Sequence, residues 1–286
     1  MLARDLAALA LALATAAGCN QVFGLDPPTS RSDVDADSCA VPGAGPDEDG
    51  DGRRDACDNC PQVAQHSLDE FKDKDGDGIG DACDPHKDAP DRLVGFYGFT
   101  DSSVPLEFFS EGGSWTVADG DVFTSLVATS ADLLARLDVD LTTVTVDTAL
   151  TLAEPLPDPP KGTSASVGVW VGLQPPAAEP AFPPGIVLET YAASGAVVQH
   201  QAHLADTRTT TSVSSAVTPE LFAPGATYRM RVTCEADGGC VGVVTRDGAP
   251  LADLALPTQP ATGDVGLRSH GADVRFHYLV VYTPAM

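Results

Sequence analysis

Ser166-Val167-Gly168-Val169-Trp170-Val171-Gly172-Leu173 places an apolar residue at every second position, with small residues and a tryptophan between. A period of two is the signature of a β-strand, because successive side chains leave opposite faces of the sheet. The same alternation recurs upstream in Thr143-Val144-Thr145-Val146-Asp147. Downstream it appears in Ile186-Val187-Leu188-Glu189-Thr190-Tyr191 and in Thr227-Tyr228-Arg229-Met230-Arg231-Val232-Thr233. Gly-, Pro- and Asp-rich stretches separate these runs, at residues 155–162 and 175–185 among others. The one helical element expected is a short turn at residues 131–136. Residues 91–286 are thus predicted to be mainly β, a two-sheet jelly-roll sandwich, and the length suffices for one sizeable core.

Ahead of this domain one acidic phrase is written twice, 26 residues apart. Asp47, Asp49, Asp51, Gly52, Asp55, Cys57 and Asp58 match Asp73, Asp75, Asp77, Gly78, Asp81, Cys83 and Asp84, both in the form D-x-D-x-D-G-x-x-D-x-C-D. Carboxylates this dense repel one another unless a hard cation sits among them. Calcium takes six to eight oxygens, and an EF-hand-type loop supplies them from positions 1, 3, 5, 7, 9 and 12. Positions 1, 3, 5, 9 and 12 here are aspartates. Position 7, Arg53 or Ile79, would give its backbone carbonyl, so its side chain is free to vary. No apolar helical periodicity flanks either loop, which argues against an EF-hand helix pair. The alternative is an acidic, disordered linker. Random acidity does not keep five aspartates, a glycine and a cysteine in register twice, and calcium is the expected cofactor.

Residues 47–85 resemble thrombospondin type 3 repeats, on these two units and on Asp58-Asn59-Cys60-Pro61, which is similar to that family's D-N-C-P signature. The resemblance implies a calcium-wrapped segment at residues 41–90 with little regular secondary structure, held by metal and disulfides. The stretch from Gln62 to Asp69 departs from the family's usual spacer, leaving Asp69 as the one spare carboxylate. The resemblance further implies a Cys60–Cys83 bridge, with Cys39–Cys57 to follow. Four cysteines allow three connectivities, so spacing does not decide among them. Cys234 and Cys240 flank a hairpin-like Glu235-Ala236-Asp237-Gly238-Gly239 and form the natural third pair. A zinc site at Cys57-x-x-Cys60 is disfavoured by its hard-oxygen surroundings.

The seventh cysteine belongs to the amino terminus. Arg4 precedes an apolar run from Leu6 to Ala17, too short to span a bilayer and ending in small residues, as a secretory signal does. Thr15-Ala16-Ala17-Gly18-Cys19 resembles a bacterial lipobox. The resemblance implies a signal peptide at residues 1–18 and lipidation of Cys19; an ordinary secretory signal is the alternative. Ala16 stands where the family has Leu. Residues 19–40 read as a flexible tether. Asn20 after the cysteine resembles lipoproteins sorted to an outer membrane; whether the anchor faces inward or outward to the surface stays open. The protein is expected to be anchored to a membrane without crossing it. The repeats then read as a metal-filled spacer, which loosens on chelation while the sandwich stays folded.

Charge limits the partners. The chain carries 41 acidic against 16 basic residues, a net charge of −25, and 18 of the acidic residues fall within residues 33–91. Bound calcium offsets such a field, whereas nucleic acid is repelled. The closing stretch, Asp264-Val265-Gly266-Leu267-Arg268-Ser269-His270 and then Val274 to Tyr282, is similar to the last strands of concanavalin A-like (laminin G-like) sandwiches. Ser114-Trp115-Thr116-Val117 with Asp119-Gly120 resembles their early tryptophan strand. That family implies glycan or surface-protein binding, or, in some members, polysaccharide hydrolysis. Retaining hydrolysis needs two carboxyls about 5 Å apart. No single strand supplies the E-x-D-x-x-E row: Glu107, Glu111, Glu154, Glu179, Glu189, Glu220 and Glu235 are each without a partner on the same strand face. His200 and His203 fall on opposite faces of a strand. The expectation is a binding protein with no catalytic residues, with a polysaccharide hydrolase or a purely structural envelope component as alternatives.

Overall fold

In the computed structural model the described residues are 45–67, 71–100, 103–124, 130–137, 142–152, 164–174, 184–193, 199–208, 212–217, 225–236, 238–258 and 263–285. The signal peptide, Cys19, the tether and Cys39 lie outside them, as do Asp69, Glu154, Glu179 and Glu220. Residues 45–286 form one compact unit. No helix among the described residues is long and apolar enough to cross a membrane.

Two antiparallel sheets face one another, as the alternating runs require. The eight-stranded sheet runs β13 (Ala249–Leu256), β12 (Gly239–Arg246), β11 (Thr227–Glu235), β6 (Val144–Leu152), β15 (Val274–Pro284), β4 (Asp121–Thr124), β3 (Trp115–Ala118). Its eighth strand, β1 (Asp91–Tyr97), pairs with the second half of β15. The seven-stranded sheet runs β10 (Ser212–Val217), β9 (Gln199–Asp206), β8 (Ile186–Ala193), β7 (Ser164–Leu173), β14 (Asp264–His270), β5 (Ser130–Ala135), β2 (Phe108–Glu111). The core lies between the sheets. Val167, Val169 and Val171 of β7 enter it with Leu267 of β14, and Val144, Val146 and Leu150 of β6 meet them from the other sheet. Asp119 and Gly120, at φ of 58° and 83°, close the β3–β4 hairpin. Two consecutive left-handed residues make the turn whose twist matches its strands, which is what an Asp-Gly pair provides.

Residues 131–136 are not a helical turn. Ser130–Ala135 is strand β5, paired on one side with β14 and on the other with β2. Ala, Leu and Arg favour helix in isolation. Here Leu133 and Ala135 fill the sandwich core while Leu134 joins an apolar cluster on the other face of the sheet, and that two-faced packing overrides propensity.

The repeat segment holds one short 3-10 turn, Asp55–Cys57, and otherwise turns and bends. It does not stand off from the sandwich. Cys60, Ile79 and Cys83 pack with Ala149, Tyr278, Val280 and Tyr282 on the outer face of the eight-stranded sheet, flanked by Val63, Leu93 and Phe96. This explains a pattern that simple alternation misses: eight of the nine residues of β6 are buried, because both its faces are covered. β15 behaves likewise, alternating up to Tyr278 and then buried continuously through Thr283.

Candidate functional site

The two acidic loops share five side-chain hydrogen bonds, and the second adds one more, from Gly76 N–H to Asp73 Oδ1 at 2.7 Å. The position-1 carboxylate accepts the N–H of position 6, Asp47 Oδ2 from Gly52 and Asp73 Oδ2 from Gly78, both at 2.9 Å. Position 3 accepts from position 5: Asp49 from Asp51 at 3.1 Å, Asp75 from Asp77 at 3.3 Å. Position 5 accepts from position 7, Asp51 from Arg53 at 2.8 Å and Asp77 from Ile79 at 2.7 Å. Position 9 reaches back to position 2, Asp55 to Glu48 and Asp81 to Lys74, each at 2.9 Å. Position 12 accepts from two residues on, Asp58 from Cys60 and Asp84 from His86, each at 2.8 Å. Positive φ at Gly52 and Gly78, 92° in both, lets the chain turn under these bonds.

These bonds hold the carboxylates and leave oxygens over. The groups Asp47, Asp49, Asp51 and Asp73, Asp75, Asp77 each gather carboxylate oxygens within 4.8 Å of one another. Asp49 Oδ2, Asp75 Oδ2 and Asp84 Oδ2 are buried and receive no hydrogen bond, and Asp84 is only 4% exposed. Buried polar atoms without partners are costly and rare. With no counter-charge, burial and then neighbouring carboxylates push Asp49 up to about 7, Asp84 to about 6 and Glu48 to about 9. Asp84 feels Asp77 and Asp91; Asp49 feels Asp51, Asp58 and Asp47. An all-oxygen set of this kind fits a hard divalent cation such as calcium. Asp55 and Asp81 stand outside the triads and buttress the loops through their bonds to position 2.

At position 7 the loops differ. Arg53 is exposed, its guanidinium 3.4 Å from the centre of the Phe71 ring. Ile79 is buried against the sheet. The sequence left that side chain free to vary, and only its apolar character hinted at a contact.

Cys60 is bonded to Cys83 and Cys234 to Cys240. Cys57 is also disulfide-bonded, while Cys39, its expected partner, lies outside the described residues. The cysteines of Cys57-x-x-Cys60 are therefore not available as zinc thiolates.

A second polar constellation crosses the outer face of the seven-stranded sheet. Strand registers set Glu111, Asp132, Arg268, Gly168, Glu189 and His203 side by side across six strands. Arg268 lies 3.2 Å from Asp132 and 3.5 Å from Glu189. The Trp170 indole donates to Asp132 at 2.8 Å. Burial raises the Asp132 carboxyl, with Arg268 opposing. Glu189 thus has charged company on its face, supplied by another strand. Sequence reasoning missed the row because its members come from strands far apart in the chain. At the Glu111 end the face opens into a cleft of about 250 Å³ lined by Phe109, Glu111, Arg136, Leu173, Gln174 and Asp264. Arg136 spans Asp264, at 3.8 Å, and the Phe109 ring, at 4.9 Å.

No family model and no curated protein matches the chain. Among solved structures, winged bean acidic lectin complexed with methyl-α-D-galactose matches at a TM-score of 0.50 and 7% identity, over 68% of this chain and 98% of the lectin. A legume lectin-like domain from Entamoeba histolytica matches at 0.46 and 11%, over 63% and 91%. A transglycosylase in complex with NAG matches at 0.42 and 13%, over 68% and 86%. At these identities the likeness concerns architecture alone: the chain has the two-sheet β-sandwich fold seen in the winged bean lectin.

Proposed function

We propose that the chain is a calcium-binding cell-envelope lipoprotein, anchored through Cys19, whose β-sandwich binds carbohydrate and does not act as an enzyme. The observation that carries the calcium reading is the duplicated scaffold: two loops with matching hydrogen bonds, each leaving a buried carboxylate oxygen, Asp49 Oδ2 or Asp75 Oδ2, without a donor. The fold shared with a galactoside-complexed lectin supports the carbohydrate reading. The Phe109–Arg136 cleft adds to it, since an aromatic ring beside convergent charged groups suits a sugar's apolar face and hydroxyls. The lipobox-like Thr15-Ala16-Ala17-Gly18-Cys19 supports a lipid anchor, and Asn20 after it an outer-membrane destination.

Equilibrium dialysis of the full chain with radioactive calcium tests the first part. Saturable binding should fall in Asp49→Asn and again in Asp75→Asn; unchanged binding in the double variant sinks it. A glycan array probed in calcium tests the second. Recognition should weaken in Arg136→Ala, and silence across the array would move the sandwich to a protein-adhesion role. A hydrolase is the second reading, favoured by Asp132 and Glu189 flanking Arg268. Asp132 and Arg268 are buried, which speaks for a scaffold role. Turnover of a polysaccharide, lost in Asp132→Asn at unchanged stability, would instead establish catalysis.

A further inference from the structure

The second acidic loop is joined to the sandwich through its middle and at its carboxyl end. Asp77, a member of its carboxylate triad, accepts the N–H of Asp91, the first residue of β1, at 2.6 Å. Ile79, whose carbonyl stands at the cation-ligating position 7, buries its side chain in the cluster that contains Tyr278, Val280 and Tyr282. At the loop's carboxyl end, the Cys83 carbonyl accepts from Arg231 of β11 at 3.2 Å. His86 lies between Asp91, at 2.9 Å, and Glu235 at the end of β11, at 2.7 Å. The first loop lacks the apolar link, because Arg53 occupies position 7 and is exposed.

We infer that cation binding at the Asp73–Asp75–Asp77 loop is a folding determinant of the sandwich itself: the ion holds Ile79 and β1 in place, and so keeps the outer face of the eight-stranded sheet covered. This rests on the calcium reading above and deepens it. Without the ion the triad's repulsion is unopposed, and the loop that carries Ile79 and fixes Asp91 loosens. Tyr278, Val280 and Tyr282 then lose their cover, and the two loops have unequal roles.

The two tryptophans give a readout confined to the sandwich, Trp115 packing on Phe276 and Trp170 buried in β7. The full chain is melted by tryptophan fluorescence in chelator and in calcium, with calcium uptake measured in parallel by dialysis. The expected result is a rise of roughly 5–10 °C at hundredfold excess of calcium over its Kd. Asp75→Asn should abolish most of this shift and Asp49→Asn little of it. Ile79→Ala keeps the backbone carbonyl, so it should still take up calcium while the shift shrinks. Calcium uptake with an unmoved tryptophan melt overturns the inference and leaves the calcium reading standing. No uptake at all overturns that reading, and the inference with it. Equal shifts in Asp49→Asn and Asp75→Asn contradict the asymmetry.

Discussion

Asp147 is fully buried on the outer face of the eight-stranded sheet, bonded to Arg229 at 2.6 Å and Arg231 at 2.7 Å. Burial alone would raise its carboxyl; the guanidiniums of Arg231 and Arg229 more than offset that and hold it below the ordinary 3.8. A depressed carboxyl contributes stability that is full above the unfolded value and lost as the pH falls through the folded one. Wild-type melting temperature should therefore drop below about pH 4, more steeply than that of Asp147→Asn, which has no carboxyl to titrate there. At pH 7 the same substitution leaves two half-buried cations facing an uncharged group. It should cost about 3–5 kcal/mol by denaturant unfolding, and a loss under 1 kcal/mol would show that solvent reaches the cluster. None of this was legible in the chain, where Asp147 ends an alternating run and Arg229 and Arg231 sit about 80 residues away. Positions 1, 3, 5, 9 and 12 of the loops were legible, because there the chemistry is local and repeated.

Among elements, strand β7 could be read from its period, decided within ten residues. Asp119-Gly120 reads in sequence only as part of a tryptophan strand, and the structure makes it the turn of hairpin β3–β4. The turn itself is testable. Gly120, at φ 83°, should resist replacement, Gly120→Ala costing about 1 kcal/mol in denaturant unfolding; an unchanged midpoint would mean the turn relaxes freely. β5 was not legible, because Ala-Asp-Leu-Leu-Ala-Arg says helix until β14 and β2 flank it. The disulfides act at this scale too. The Cys60–Cys83 bridge closes 23 residues of separation and lies at the centre of the cover on the sheet. Removing it as Cys60→Ser/Cys83→Ser should cost roughly 3 kcal/mol in the chain-entropy picture. The Cys234–Cys240 pair, with a separation of 6, should cost less, about 2 kcal/mol. Comparison of the two melting curves checks the order.

For the whole molecule, the sequence divides into an acidic segment and a β domain, and the structure packs one onto the other. The acidic segment covers part of a sheet that would otherwise expose tyrosines and valines to water. That cover explains why β6 and the end of β15 are buried on both faces, Leu279 to Tyr282 of β15 being apolar throughout while β6 keeps threonines and the ion-paired Asp147 beneath the cover. The seven-stranded sheet, on the far side of the core, carries the charged row and the Phe109–Arg136 cleft. Most of this rests on the two aspartate loops being calcium sites. A diffraction map from crystals grown with calcium, read at the anomalous signal of the ion, tests it most directly. Density is expected against Asp47, Asp49 and Asp51, and against Asp73, Asp75 and Asp77, with the donor-free oxygens of Asp49, Asp75 and Asp84 turned onto the ions. Loops that stay free of ions at millimolar calcium, with those oxygens bonded to water, would contradict it.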